Sequence, residues 1–359
     1  MLKKSSILAI FVCFWLMPAL TSAAQTVETG RYFVHTSNGF LKTIFGVQHE
    51  FKDGFTTEAV YAKRSLLKFF AGSWRFELTN VPKYQVAQNL LSDLSQLAGT
   101  TEETAPTRLE PASQVPWGVA WFSGLAAATD LAKDPVTVAL LDTGVDREHP
   151  DLTDQVIECL SFTNGNTPWP ACSDSSGHGT HSAGIIAAHG GADGLGLWGI
   201  TPHSQILAYK VCDATGACWA DDIAAALRYA ADQKANVINL GLTGPDNELI
   251  NTAITYAASR GALIVGPATR NTDLPGSHKS VLSVNAIDHD GQLAEWTADK
   301  SLVTAPGVDI ESTWLEDGYQ VKSGSSMAVA HVTGLAARIW QGTARATLST
   351  LLGLFDPEL

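Results

Sequence analysis

A chain of 359 residues, 45% hydrophobic and with 31 glycines, is long enough to bury one large core and to carry a smaller unit beside it. Its formal charge of -13 at pH 7 repels phosphate backbones and anionic headgroups, which excludes nucleic acid and anionic membrane surfaces as main partners.

Met1 to Ala24 opens with Lys3 and Lys4, continues in an apolar run from Ile7 to Leu20 and ends in Thr21-Ser22-Ala23-Ala24, the order of a secretory signal peptide. Pro18 interrupts the run, which is shorter than the ~20 residues a permanent bilayer anchor needs. Export after cleavage at Ala23 or Ala24, to an extracellular or periplasmic location and without a stable membrane anchor, is the expectation. Removing this segment removes Cys13 and leaves Cys159, Cys172, Cys212 and Cys218, an even count that suits an oxidising compartment. Of the three possible pairings we favour Cys159 with Cys172 and Cys212 with Cys218, because each local pair brackets a loop containing Gly or Pro. No CxxC spacing points to zinc.

Residues 25–110 read as a small α+β domain. A strand is expected at Tyr32-Phe33-Val34, a helix from Thr56 to Phe70, and an alternating strand from Trp74 to Leu78. Asn80-Val81-Pro82 offers a further helix start, with Leu90, Leu91, Leu94 and Leu97 at helical spacing and Gly99 as its stop. Thr100 to Pro116, rich in Thr, Glu and Pro, is an exposed connector. Residues 111–359 form the second domain. Apolar runs at Val136 to Leu141, Ile206 to Val211, Val237 to Leu240, Ala262 to Val265 and Val281 to Val284 alternate with helical patterns at Asp221 to Asp232 and Leu249 to Ser259. This alternation predicts an α/β fold, a parallel sheet covered by helices on both faces.

Three motifs carry chemistry. The first apolar run delivers Asp142, followed by Thr143-Gly144, at the carboxyl edge of the sheet, where active sites of open α/β sheets lie. Ser176-Gly177-His178-Gly179-Thr180-His181 places His178 at the start of a helix of small residues. Ser323-Gly324-Ser325-Ser326-Met327-Ala328 places Ser326 at the start of a helix from Val329 to Trp340, where backbone N–H groups suit either a cap or an oxyanion. The two histidines three apart lack the further ligands of a metal motif.

In this order the three motifs resemble the subtilisin family of serine peptidases. The resemblance runs from about Pro111 to Leu352, through Ser113-Gln114-Val115-Pro116-Trp117-Gly118, His149-Pro150-Asp151-Leu152, Val237-Ile238-Asn239 and Ala305-Pro306-Gly307. It implies a subtilisin-like three-layer αβα fold with a central parallel sheet, preceded by a small α+β propeptide domain. It also implies a secreted serine endopeptidase, in which Ser326 attacks the peptide carbonyl, His178 moves the proton and Asp142 orients the imidazole. Serine needs such a base, and a neutral imidazole is available near pH 7. His181, Asp146 and His331 take structural places.

The same resemblance makes residues 25–110 an inhibitory propeptide, with His49-Glu50-Phe51-Lys52-Asp53-Gly54-Phe55 and Thr101-Glu102-Glu103 in its expected positions. Self-cleavage is expected between about Thr107 and Gln114. A protein or peptide substrate and the chain's own propeptide are then the partners of a monomer. No cofactor is required for the chemistry. A structural Ca2+ is expected at Asp151 and Asp193, the latter in the loop from Gly190 to Gly194, since hard oxygen ligands suit that ion.

Departures from the family's pattern open a second reading, a catalytically weak binding protein on the same fold. Arg270 falls where the oxyanion asparagine is usual and Asn271 one residue later; either side chain carries N–H donors. Gly241-Leu242-Thr243 replaces the Ser-Leu-Gly edge that pairs with substrate, and Thr243 is expected to narrow the pocket for the residue before the scissile bond. Gly216-Ala217-Cys218 matches the second pairing strand, stiffened by the Cys212–Cys218 bridge. Ala330 stands where proline is usual. The end of the chain soon after the serine helix leads us to expect that a late helix is lacking.

Overall fold

The computed structural model describes residues 30–36, 39–52, 54–59, 67, 77–87, 108–123, 132, 134–163, 165, 168–268, 273–298 and 300–355. In the leader, β1 (Gly30–His35), α1 (Gly39–Phe45), β2 (Glu50–Phe51), β3 (Gly54–Ala59) and β4 (Glu77–Asn80) precede β5 (Lys83–Val86). The first four strands form an antiparallel sheet in the order β2-β3-β1-β4. Strand alternation sorts β1 into two faces. Tyr32 and Val34 join Leu41, Phe45, Phe55 and Leu67 in the leader's own core, while Phe33 belongs to a cluster with Tyr84, Val86 and Leu242.

Two leader expectations are corrected. Thr56 does not begin a helix: it lies in β3, opposite Phe33, and of the residues from 60 to 70 only Leu67 is described, helical and buried. Thr-Thr-Glu looks like an exposed helix face, yet Thr56 is buried because its hydroxyl donates to Asp221 of the following domain. Nor does Pro82 open a helix, because Lys83–Val86 is a strand paired on both edges by distant segments. The helix expected around Leu90 to Leu97 lies outside the described residues.

The second domain runs α2 (Trp117–Trp121), β6 (Thr137–Asp142), β7 (Val156–Ser161), α3 (His178–Ala187), β8 (Gln205–Lys210), β9 (Ala217–Trp219), α4 (Ala220–Asp232), β10 (Val237–Asn239), β11 (Leu242–Thr243), α5 (Glu248–Ser259), β12 (Leu263–Pro267), β13 (Val281–Ile287), β14 (Val303–Pro306), β15 (Ile310–Thr313), β16 (Tyr319–Lys322), α6 (Ser325–Arg338) and α7 (Ala344–Phe355). Seven strands form a wholly parallel sheet in the order β14-β13-β12-β10-β6-β8-β7. The run from Val138 to Leu141 in β6 is continuously apolar because both its faces are covered. Val138 and Leu140 pack with Ile185, Ile186, Val329 and Val332 of α3 and α6, whereas Ala139 and Leu141 pack with Ile223, Leu227, Ile250 and Ile254 of α4 and α5. These are the three layers of a subtilisin-like αβα fold. Contrary to expectation, a further helix follows the serine helix: α7 buries Leu351 in the core that α6 shares.

From β6 the chain goes first to β7 and β8 on one side and then to β10 on the other. The carboxyl ends of β6 and β10 therefore flank a crevice at the reversal of strand order, the position where such sheets take their ligands.

Candidate active site

Asp142 ends β6 inside that crevice and is 1% exposed. Its Oδ1 accepts from the Thr143 amide and from His178 Nδ1, both at 2.7 Å, and its Oδ2 accepts from Ser182 Oγ at 3.4 Å. His178 Nε2 lies 2.8 Å from Ser326 Oγ. Because Nδ1 faces a carboxylate, it carries the proton, and Nε2 is left as the acceptor for the serine hydroxyl. The separation is within reach for direct proton transfer.

Local sequence explains how His178 is held. Gly177, the residue before α3, has φ +90°, and an added Cβ would lie 2.4 Å from the Trp314 ring, so glycine alone fits. Asp174 clamps the turn: Oδ1 accepts from the amides of Ser176 and Gly177 at 2.9 Å and from Thr143 Oγ1 at 2.9 Å, while Oδ2 accepts from the Thr180 amide at 3.0 Å and its hydroxyl at 2.7 Å. A carboxylate at a helix N-terminus is also favoured by the helix dipole. Sequence reasoning missed both Asp174 and Ser182; Asp174 lies four residues before His178, and an acid preceding a helix start was the available signal.

Ser326 lies in the first turn of α6, and Gly241 approaches it so closely that an added Cβ would be 3.1 Å from the serine Cβ. His331 gives its Nδ1 to the Met327 carbonyl at 2.8 Å, and His181 turns Nε2 to the carbonyls of Ile310 and Gln320. Burial holds both below the usual imidazole range, His331 at about 4 and His181 at about 3. Both therefore stay neutral. Asp146, half-buried, donates its main-chain amide to Thr180 Oγ1 at 2.9 Å.

A strand of the leader fills the cleft. β5 lies antiparallel between β9 and β11, with Lys83, Tyr84 and Gln85 opposite Trp219, Cys218 and Ala217, and with Gln85 and Val86 opposite Thr243 and Leu242. The Val86 amide donates to the Gly216 carbonyl at 3.1 Å, and the Ala87 amide to the Gly241 carbonyl at 2.9 Å. All six positions expected to bind substrate thus meet the leader's main chain. The Ala87 carbonyl in turn accepts from the Ser326 amide at 3.1 Å. That amide, at a helix start, is placed to stabilise negative charge on a carbonyl oxygen. Arg270 and Asn271 lie outside the described residues. Tyr84 packs on Gly244, where an added Cβ would come within 2.5 Å of the ring, and its hydroxyl donates to the Pro245 carbonyl at 2.5 Å.

The leader makes a second, polar contact that sequence reasoning also missed. Arg31 Nη1 donates to Asp221 Oδ1 at 3.0 Å and to Asp222 Oδ1 at 2.6 Å, His49 Nε2 bonds Asp222 Oδ1 at 2.7 Å, and Thr56 Oγ1 donates to Asp221 Oδ2 at 2.7 Å. All five residues are buried, with the two acids in the first turn of α4. Burial, reinforced by the charge of Asp221, raises Asp222 to about 6. The guanidinium of Arg31 and the ammonium of Lys83 also stack on Trp219, 5.1 and 4.6 Å from its ring centre.

Cys159 is bonded to Cys172 and Cys212 to Cys218, the first bridge tying β7 to the loop before α3 and the second closing the base of β9. Asp151 is 1% exposed; its Oδ2 accepts from the Leu197 amide at 2.7 Å and from Tyr319 Oη at 2.8 Å, while its Oδ1 has no partner. Asp193 is exposed, and an added Cβ at Gly191 would lie 3.1 Å from Asp151 Oδ1 and 3.3 Å from Asp193 Oδ1, so the two carboxylates converge on one small space. Gln114 reaches the same loop through Nε2 and the Gly194 carbonyl at 2.5 Å. Among the described residues no helix is long and apolar enough to cross a membrane.

The family model described as the Subtilase family matches residues 133–353. A subtilisin from Bacillus sp. (strain TA39) is 33% identical over 334 residues, which cover 83% of this chain and 76% of the relative. A thermophilic serine proteinase from Bacillus sp. (strain AK1) is 41% identical over 209 residues, covering 56% of this chain and 51% of that one. Among solved structures, sphericase matches with a TM-score of 0.63 and 34% identity over 68% of this chain and 90% of its own, and the S41 psychrophilic protease with a TM-score of 0.61 and 32% identity over 67% and 90%.

Proposed function

The chain belongs to the subtilase family of serine endopeptidases, and from that premise we propose that Ser326 is its nucleophile, His178 its general base and acid, and Asp142 the residue that orients and stabilises the imidazolium. The observation that carries this reading is the unbroken hydrogen-bonded chain from Asp142 Oδ1 through His178 to Ser326 Oγ, with a peptide carbonyl held at the Ser326 amide.

The serine proton passes to His178 Nε2 as Oγ attacks the peptide carbonyl, and the positive imidazolium is balanced by buried Asp142. The Ser326 amide meets the carbonyl oxygen as it gains charge. His178 then protonates the leaving amine, and water repeats the sequence in reverse roles to free the acyl group. Gly216, Ala217, Cys218, Gly241, Leu242 and Thr243 hold the substrate as an added strand, which binds main chain and leaves side-chain choice to the pockets. The Thr243 substitution leaves this pairing intact.

The enzyme is exported by residues 1–24 and made as a zymogen whose leader occupies the cleft. The paired cysteines support passage into an oxidising compartment. A Ca2+ ion fits at Asp151: the partnerless buried Oδ1 is a ready hard ligand, and Asp193 Oδ1 converges on the same space. Its role there is to hold the loop from Gly190 to Gly196 against residues 112–116, with no part in the chemistry.

Labelling with a serine-reactive phosphonate tests the assignment. Wild type freed of its leader should label and Ser326→Ala should not. Absence of labelling in both would favour a binding protein over an enzyme.

A further inference from the structure

Resting on the endopeptidase reading above, we infer that the chain's first self-cleavage is at the bond between Ala87 and Gln88, well upstream of the expected region between Thr107 and Gln114. Three main-chain bonds fix the register: Val86 amide to Gly216 carbonyl, Ala87 amide to Gly241 carbonyl, and Ser326 amide to Ala87 carbonyl, at 3.1, 2.9 and 3.1 Å. Among the described residues of the leader, Ala87 is the one whose carbonyl meets the Ser326 amide, so the peptide bond that follows it is the one presented to Ser326 Oγ. The side chains agree with the main chain. Ala87 is buried, and Tyr84, three residues earlier, packs over Gly244 and reaches the Pro245 carbonyl.

The alternative region is engaged elsewhere. Arg108 and Tyr319 exchange both main-chain bonds, at 3.0 and 2.8 Å, the Ala112 amide donates to both Glu311 oxygens, and the Gln114 carbonyl accepts from the Trp198 amide at 2.7 Å. Bringing any bond from 107 to 114 to Ser326 would break these contacts and also evict β5 from between β9 and β11. Residues 88–107 connect the two fixed ends, and a chain of that length spans tens of ångströms when extended.

In the cut, the Ser326 Oγ–Ala87 C bond forms, the Ala87–Gln88 C–N bond breaks, and the serine proton travels through His178 to the Gln88 nitrogen. Water then cleaves the ester, leaving an Ala87 carboxylate on the leader and restoring the serine hydroxyl. The first mature form therefore begins at Gln88 and carries residues 88–107 as an overhang before Arg108.

Mass spectrometry of the refolding full chain over time tests this. Wild type should give, as its first products, a leader fragment ending at Ala87 and an enzyme fragment beginning at Gln88, whereas Ser326→Ala stays whole at this bond. A first cut between 107 and 114, with residues 84 to 106 intact on the leader fragment, would overturn the inference. A synthetic peptide of residues 80–92 given to the matured enzyme is an independent measurement: hydrolysis after Ala87 is expected, and cleavage elsewhere or none, while a general peptide substrate is turned over, would count against it. If Ser326 neither labels with the phosphonate nor hydrolyses any peptide, the endopeptidase reading itself falls, which separates the two failures.

Discussion

Arg31 of the leader and Asp222 of the enzyme domain meet at 2.6 Å with both side chains almost wholly buried. Removing one member of such a pair leaves the other charge buried and uncompensated, at a cost of about 3–5 kcal/mol. For Arg31→Leu the leader should leave the cut complex faster by two orders of magnitude or more, read as an earlier rise of peptidase activity after cleavage. An unchanged lag would mean that β5 alone holds the leader.

The same cluster predicts how pH acts on the stability of the uncut chain. Asp222, facing Arg31, Asp221 and His49, is raised from its ordinary 3.8 to about 6 in the folded chain. The folded form therefore holds this proton more tightly than the unfolded chain. Its contribution to stability is fully present below about pH 4 and is lost as pH rises through about 6. In the uncleaved Ser326→Ala chain, Asp222→Asn should remove the part of the fall in Tm that occurs between pH 4 and pH 7; identical pH profiles of Tm with and without Asp222→Asn would refute the assignment.

Asp174 carries the turn that positions His178, accepting five hydrogen bonds without touching substrate. Asp174→Ala should lower kcat on the order of 10- to 100-fold with little change in KM, because the base is misplaced while the peptide-pairing strands are intact. The lost bonds also cost about 2–3 kcal/mol of stability, measurable by denaturant unfolding. A change in KM alone would contradict a positioning role.

If the partnerless oxygen of Asp151 serves Ca2+, a chelator should lower Tm in wild type, and Tm should climb with added Ca2+ as binding to the native state alone requires. Asp151→Ala should abolish both responses. Equal Tm values with chelator and with Ca2+ would exclude the site.

The enzyme domain is legible because its local signals agree with its tertiary structure. Val136 to Leu141 is apolar without helical period, as a strand covered on both faces must be, and Asp142, His178 and Ser326 each stand at the junction between such an element and a glycine-bearing turn. The leader is less legible because its segments take their structure from the other domain. Thr56 is buried through Asp221, and Lys83 to Val86 is a strand only because β9 and β11 supply both its edges. The Asp174 clamp and the Arg31 cluster join residues far apart in the chain or within a turn, which periodicity does not report.

The attachment of Arg108 to Tyr319 also sets a concentration. While residues 88–107 are whole, the inhibitory strand is tied to the domain it blocks, and the covalent link presents it at an effective concentration of order millimolar however dilute the protein becomes. Once the link is cut the encounter is bimolecular, and dilution favours separation. The volume into which the cut protein is diluted then becomes the timer of activity.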